Sequence, residues 1–198
     1  MLNNKKKRII FLIAGIVIFL VSYNIDSDAS IFFKAFKSPL LDFVLSIITN
    51  FGVVIIVMLA IPSIMLFRKN RKAANFLFLA FISAIILAFI IKLIVSRQRP
   101  MEIFAHPNIG VINYPILSVL YYSFPSMHAM VVFALLPVLL KYLPNLKYFW
   151  VIFAFLIAFT RIYLGFHFLS DVVFGALVGC FIGDFLMELY EKGKLWKK

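Results

Sequence analysis

Residues 73–95, AANFLFLAFISAIILAFIIKLIV, form an apolar run broken only by Asn75, Ser83 and, near its end, Lys92. A helix crossing the hydrocarbon core of a bilayer needs roughly 20 predominantly apolar residues, and this run supplies them. Outward from it, five more apolar runs extend over about Ile9 to Val21, Leu40 to Phe67, His128 to Leu143, Tyr148 to Thr160 and Phe168 to Tyr190. The whole chain is 64% hydrophobic, 14% charged, and has a mean hydropathy of +1.05. No soluble domain of this size needs so much apolar surface. The expected fold is all-α, a bundle of six transmembrane helices in one domain over residues 1–198, with an extended loop between the third and fourth helices.

Lys5, Lys6, Lys7 and Arg8 before the first run are also what precedes a signal peptide. No small-residue cleavage site of the A-x-A kind follows, so the run is read as a retained helix. Cys180 is the only cysteine and lies within the last run, which excludes an intrachain disulfide.

The net charge of +12 invites a nucleic-acid reading, but its distribution argues against one. Lys5 to Arg8, then Arg68, Lys69, Arg71 and Lys72, then Lys141 and Lys147, then Lys192, Lys194, Lys197 and Lys198 fall at alternate connections. The positive-inside rule places those regions, and both termini, in the cytoplasm of a multi-pass cell-membrane protein. Lys34, Lys37, Lys92, Arg97, Arg99 and Arg161 then lie outside, with Asp26, Asp28, Asp42, Glu102 and Asp171. The expected partners are membrane lipids and no nucleic acid.

Residues 29–42 mix Ile31, Phe32, Phe33 and Phe36 with Lys34 and Lys37, as an amphipathic segment in the outer interface would. The longest connection, residues 96–127, contains four prolines and three tyrosines. Long structured loops tend to be functional, although tyrosines there also suit an interfacial belt. The fourth and fifth runs are short, about 15 residues at ~1.5 Å each, so a site at their outer ends could receive a lipid headgroup without lifting its tails.

Three polar clusters fall at outer ends. Lys92 and Arg99, seven apart, share a face if the third helix continues to Pro100. Two cations on one face repel unless an anion separates them, and a phosphate suits an Arg fork with a Lys point charge. Arg97 is assigned to the lipid headgroups. In the second cluster Ser126 can cap the fourth helix, whose first-turn N–H groups near Met127 are open to an anion, and His128 can act as a general acid. In the third, following Arg161, His167 and Asp171 stand four apart, as an acid orienting a histidine nucleophile would; the same pair could also hold a metal. Gly175, Gly179 and Gly183 continue that face as a stripe open to close helix approach.

These residues, Lys92-x6-Arg99-Pro100, Pro125-Ser126-x-His128 and Arg161-x5-His167-x3-Asp171, resemble the three signature motifs of the type 2 phosphatidic acid phosphatase family. The resemblance covers residues 92 to 171 and, with the helix pattern, nearly the whole chain. Met127 stands where the family usually has Gly, and Thr160 where it usually has Ser. A positive φ at position 127 would strain a methionine.

The resemblance implies that Lys92, Arg99, Ser126, Arg161 and the backbone at Met127 hold the phosphate oxygens. His167 would attack phosphorus, Asp171 would orient it, and His128 would protonate the departing oxygen. With three cations offsetting the charge, neither a metal nor another cofactor is needed. The implied activity is hydrolysis of a lipid mono- or diphosphate, such as an isoprenyl diphosphate, phosphatidylglycerol phosphate or phosphatidic acid, at the outer leaflet. Two rivals are a lipid phosphotransferase using the same phosphohistidine and a non-catalytic anion-binding transporter or assembly factor.

Overall fold

Each of the six apolar runs is helical in the computed structural model, which describes residues 5–100 and 121–192. Most of the expected long loop lies outside the described residues, including Glu102, Pro107, Tyr114 and Pro115. In chain order the helices are α1 (Lys5–Asn24), α2 (Asp26–Ala35), α3 (Pro39–Ile48), α4 (Phe51–Ile55), α5 (Ile61–Phe67), α6 (Arg71–Val95), α7 (Met127–Tyr142), α8 (Lys147–Tyr163) and α9 (Leu169–Glu191).

The second apolar run is not one straight helix. It breaks at Thr49 and Asn50, where the Asn50 side chain accepts from Gly52 N–H at 2.9 Å and restarts the chain as an N-cap. The axes on either side differ by 43°. Between α4 and α5, Ile56–Ala60 form a π turn just before Pro62, with Ile61 N–H donating five residues back to Ile56. Proline has no N–H and its ring crowds the carbonyl four residues earlier, which accounts for the widened turn. The first run continues past Asn24 into α2 with a 63° bend. The expected interfacial segment thus divides between α2 and α3. It is tied to α8 by the Tyr163 hydroxyl, which accepts from Ser38 N–H and donates to Phe36 O.

Among the described residues three helical stretches are individually long and apolar enough to cross a membrane: α6, α8 with its preceding turn, and α9. The two bent pairs raise the number to as many as five, and α7, at 16 residues, is shorter than the three that qualify individually. Instead, α7 is the core of the bundle. Residues Ala129 to Leu136, Val138 and Leu139 are all buried, as expected of a helix apolar on every side. It packs against α6, α8 and α9.

Two kinds of small-residue contact bring these helices together. On α6, Ala80, Ala84 and Ala88 are fully buried while Ile82, Ile86, Ile90 and Ile94 face outward. On α9, Gly175, Gly179 and Gly183 meet the backbone of α7. A Cβ on Gly175 would lie 2.6 Å from Ser126 O, on Gly179 2.4 Å from Met130 O, and on Gly183 2.4 Å from Ala134 O. Close packing through small residues is how helices associate where lipid removes the hydrophobic drive.

This seam gives a stability prediction. Gly179→Ala puts a methyl against a carbonyl that cannot swing aside, an overpacking cost of about 1–3 kcal/mol that exceeds the helix-propensity gain of roughly 0.5–1 kcal/mol. Gly15→Ala meets only the flexible tip of Leu177 at 2.8 Å, so the two effects nearly cancel. Thermal unfolding in detergent should show Gly179→Ala clearly destabilised and Gly15→Ala near wild type; equal melting temperatures would contradict the seam.

Candidate active site

The Ala80, Ala84, Ala88 face of α6 ends in Lys92, which is buried with its Nζ donating to the Tyr122 carbonyl. The helix stops at Val95, because Ser96 adopts a left-handed conformation (φ 48°) and its N–H closes on Lys92 O. The helix ends where the apolar run does and does not continue to Pro100, so Arg99 does not share a helical face with Lys92. It sits on the extended segment beyond, with Nε donating to Tyr121 O at 3.1 Å and its guanidinium over the Phe166 ring at 5.6 Å. The chain pairing of residues 97–99 with 121–123 brings the two cations together nonetheless.

Arg161, in the last turn of α8, lies over the same Phe166 ring at 4.2 Å. It is only 6% exposed; NH1 donates to Thr49 Oγ1 at 3.2 Å, and among the described residues nothing accepts from its Nε. A buried guanidinium with an unmet donor is costly unless another ligand completes it.

Ser126 is fully buried and caps α7, accepting from Ala129 N–H at 3.5 Å, while its own N–H donates to Asp171 O at 3.1 Å. Met127 begins the helix. Ser96 is the only non-glycine residue with positive φ among the described residues, so the strain considered for Met127 does not arise. The first-turn N–H groups at a helix start such as that of α7 are of the kind that can receive an anion. In the same first turn, His128 packs edge-on against Phe51, ring centroids 4.8 Å apart, and lies near the Thr49 backbone carbonyl.

His167 is buried, and its Nδ1 lies 2.6 Å from the Ser123 carbonyl. A carbonyl can only accept, so Nδ1 carries the proton and Nε2 keeps its lone pair. Asp171 does not take this bond, contrary to the i, i+4 expectation. Its Oδ2 is 3.8 Å from Nδ1 and instead accepts from Phe168 N–H at 2.8 Å. The reason is local: α9 begins at Leu169, so His167 precedes the helix and helical spacing does not apply to the pair. Burial, with Arg161, Lys92 and Arg99 adding to it, holds the His167 imidazole well below its ordinary pKa of 6.5.

All eight residues singled out in the sequence thus converge at one end of the bundle. A sequence profile described as the PAP2 superfamily matches residues 73–194. The chain belongs to the PAP2 superfamily. Among PAP2 relatives, an undecaprenyl-diphosphatase of Sulfolobus acidocaldarius is 30% identical over 137 residues, 68% of this chain and 63% of that protein. The match therefore spans somewhat less than two thirds of that relative's length. A lipid A 4'-phosphatase of Bacteroides thetaiotaomicron is 30% identical over 176 residues, 81% of this chain and 74% of that protein. The crystal structure of a transmembrane PAP2 type phosphatidylglycerolphosphate phosphatase from Bacillus subtilis superposes with a TM-score of 0.68 at 23% identity. That comparison covers 93% of this chain and 98% of the other. This PAP2 chain is a multi-pass membrane protein.

Four residues around the PAP2 site were not singled out from sequence, or were assigned elsewhere. Thr49 serves both Arg161 and His128, and Ser123 fixes the His167 tautomer. Arg97 is not a headgroup anchor: NH1 donates to Asp171 Oδ1 and Ser170 Oγ, and NH2 to Asp26 Oδ2, each at 2.8 Å. Asp26, buried at the start of α2, completes that contact.

The Arg161 geometry predicts anion binding without reference to turnover. Orthovanadate should raise the melting temperature of the purified protein, and Arg161→Gln should weaken its Kd roughly tenfold to a hundredfold, the loss expected for charge-assisted bonds. Thr49→Val should weaken it less. Unchanged vanadate affinity in Arg161→Gln would place the anion elsewhere.

Proposed function

We propose that this PAP2 protein is a metal-independent lipid phosphatase that hydrolyses a lipid mono- or diphosphate through a phosphohistidine on His167. The observation that carries the reading is the Nδ1–Ser123 bond, which leaves Nε2 as a neutral nucleophile beside Lys92, Arg99 and Arg161. Charge supports it: Arg161, Lys92 and Arg99 all lie close enough to act on the His167 ring, a cluster of cations that suits a phosphate dianion. The names of the relatives, which act on lipid-linked phosphates, support that substrate class.

In this scheme Lys92, Arg99, Arg161, the Ser126 hydroxyl and the N–H groups at the start of α7 hold the non-bridging oxygens. The Nε2 lone pair attacks phosphorus, and the bond to the departing oxygen breaks as His128 delivers a proton to it. The ring is then cationic, with its Nδ1 proton still on Ser123 O. Asp171, 3.8 Å away, stabilises that positive charge electrostatically without a direct bond. Water enters next; His128, now basic, takes its proton, the new oxygen bonds to phosphorus, and the P–N electrons return to Nε2.

The alternating basic connections support six spans in a single domain over residues 1–198, with both termini cytoplasmic and the site at the outer leaflet. Isoprenyl diphosphate, phosphatidylglycerol phosphate and phosphatidic acid are the substrates to compare.

Phosphate release from that lipid panel tests the reading. His167→Ala should abolish it. Arg99→Gln, losing one preorganised donor, should cost roughly 100- to 1,000-fold. EDTA should leave the rate intact while vanadate inhibits. A His167→Ala protein that folds and keeps near-normal turnover would overturn the assignment. Label that reappears on another lipid, and not as free phosphate, would make the protein a phosphotransferase; tight binding without turnover would make it a carrier.

The pH profile has a definite sign. A nucleophile must be unprotonated, and a pKa held below 6.5 keeps His167 neutral as pH falls through that value. The acid limb of kcat/KM due to His167 should therefore lie below pH 6.5, whereas a limb at or above it would contradict the burial argument.

A further inference from the structure

We infer that Arg97, held by Asp26, is a positioning residue for the His167 nucleophile; this rests on the phosphatase reading above. Arg97 reaches His167 by two routes. Through its backbone, the Arg97 carbonyl accepts from Ser123 N–H at 2.7 Å, and the Ser123 carbonyl in turn accepts from His167 Nδ1 at 2.6 Å. The Ser123 hydroxyl adds a bond to Gln98 O at 2.8 Å, which fixes the orientation of that carbonyl. Through its side chain, Arg97 grips the free oxygen of Asp171, whose other oxygen faces the ring.

Both carboxylates that Arg97 binds are buried, with Asp26 at 5% and Asp171 at 0% side-chain exposure. An ion pair on a protein surface contributes little, but removing one partner of a buried pair leaves an uncompensated charge. Without Arg97, Asp171 would lose the donor on one oxygen and keep Phe168 N–H on the other, and the His167 Nδ1 proton is a further donor within reach of a small turn. The ring would then leave the Ser123 carbonyl, and Nε2 would lose its aim at phosphorus. Arg97 thus keeps the carboxylate close enough to stabilise a cationic ring and too far to capture it.

Asp26 fixes the guanidinium from the opposite side. Its Oδ2 takes NH2, its Oδ1 accepts from Ser170 N–H at 2.8 Å, and the Ser170 hydroxyl also donates to it. The guanidinium is stacked over Phe168 at 4.0 Å and approaches Tyr23 at 5.5 Å. Asp26 and Tyr23 precede the region that matches the PAP2 profile, so the α1–α2 junction contributes to an active site otherwise built from later residues.

The test uses the full chain in detergent with 15N-labelled histidine. The sequence has three histidines, so the His167 ring can be assigned by single substitutions. Wild type should show the Nδ1-protonated neutral ring. Arg97→Gln and Asp26→Asn should shift it toward a mixed or Nε2-protonated form. They should also lower kcat roughly tenfold to a hundredfold, as misplacement of a reacting group does, with KM within about twofold. Arg97→Lys, which keeps the charge, should retain part of the rate.

Folded variants with the wild-type tautomer and kcat would overturn the inference, as would a KM that rises in step with lost rate. Should Arg97→Gln fail to fold, Asp26→Asn decides, since it keeps the shape while replacing one of the two acceptor oxygens by a donor and removing the charge. A tautomer shift in a protein whose wild type has no phosphatase activity would support the positioning role and refute the phosphatase reading.

Discussion

The contact of α9 with the backbone of α7 sets the geometry on which the site depends. Gly175, Gly179 and Gly183 let the two helices approach until a Cβ at any of them would collide with a carbonyl. Where the seam reaches the end of the bundle, Ser126 N–H bonds Asp171 O across it. That bond sets the start of α7 against the start of α9 and the preceding His167. Neither half of the site has its geometry without the other.

Electrostatics completes what packing begins. Lys92, Arg99 and Arg161 are gathered at one end of a bundle whose interior is apolar, and two of them are steadied by neutral groups, Lys92 by the Tyr122 carbonyl and Arg161 by the Thr49 hydroxyl. Carbonyls and hydroxyls orient a cation without cancelling its charge. The Arg97 guanidinium is treated in the opposite way, matched by two carboxylates and removed from competition for the anion. Lys92 and Arg161 thus differ from Arg97 in the charge of their partners, not only in residue type.

Much of this was legible in the chain. The helical runs, the common end of the three clusters and the glycine stripe follow from periodicity and loop charge. The alanine stripe of α6, spaced four apart and ending in Lys92, was also readable and identifies the buried face of that helix. Other features have no local signature. Ser96 ends α6 in a left-handed conformation that glycine usually marks, so the sequence left open whether the helix continues beyond Val95 to Pro100. The spacing of His167 and Asp171 suggested direct contact because nothing before Leu169 announces that the helix starts there. Asp26 and Thr49 meet partners more than 100 positions away, and a single Arg near a helix end is most often a headgroup anchor. Arg97 could be separated from that group only by seeing both carboxylates.

In the proposed scheme the phosphoryl group passes through His167. That step is tested most directly by mixing the protein with a lipid substrate carrying labelled terminal phosphate, quenching with alkali within a turnover, and mapping the label. The account predicts an alkali-stable, acid-labile phosphoryl group on the peptide containing His167, absent from His167→Ala and accumulating in His128→Ala, where water activation is lost. Label on His128, or rapid turnover with no labelled peptide at any time, would contradict it.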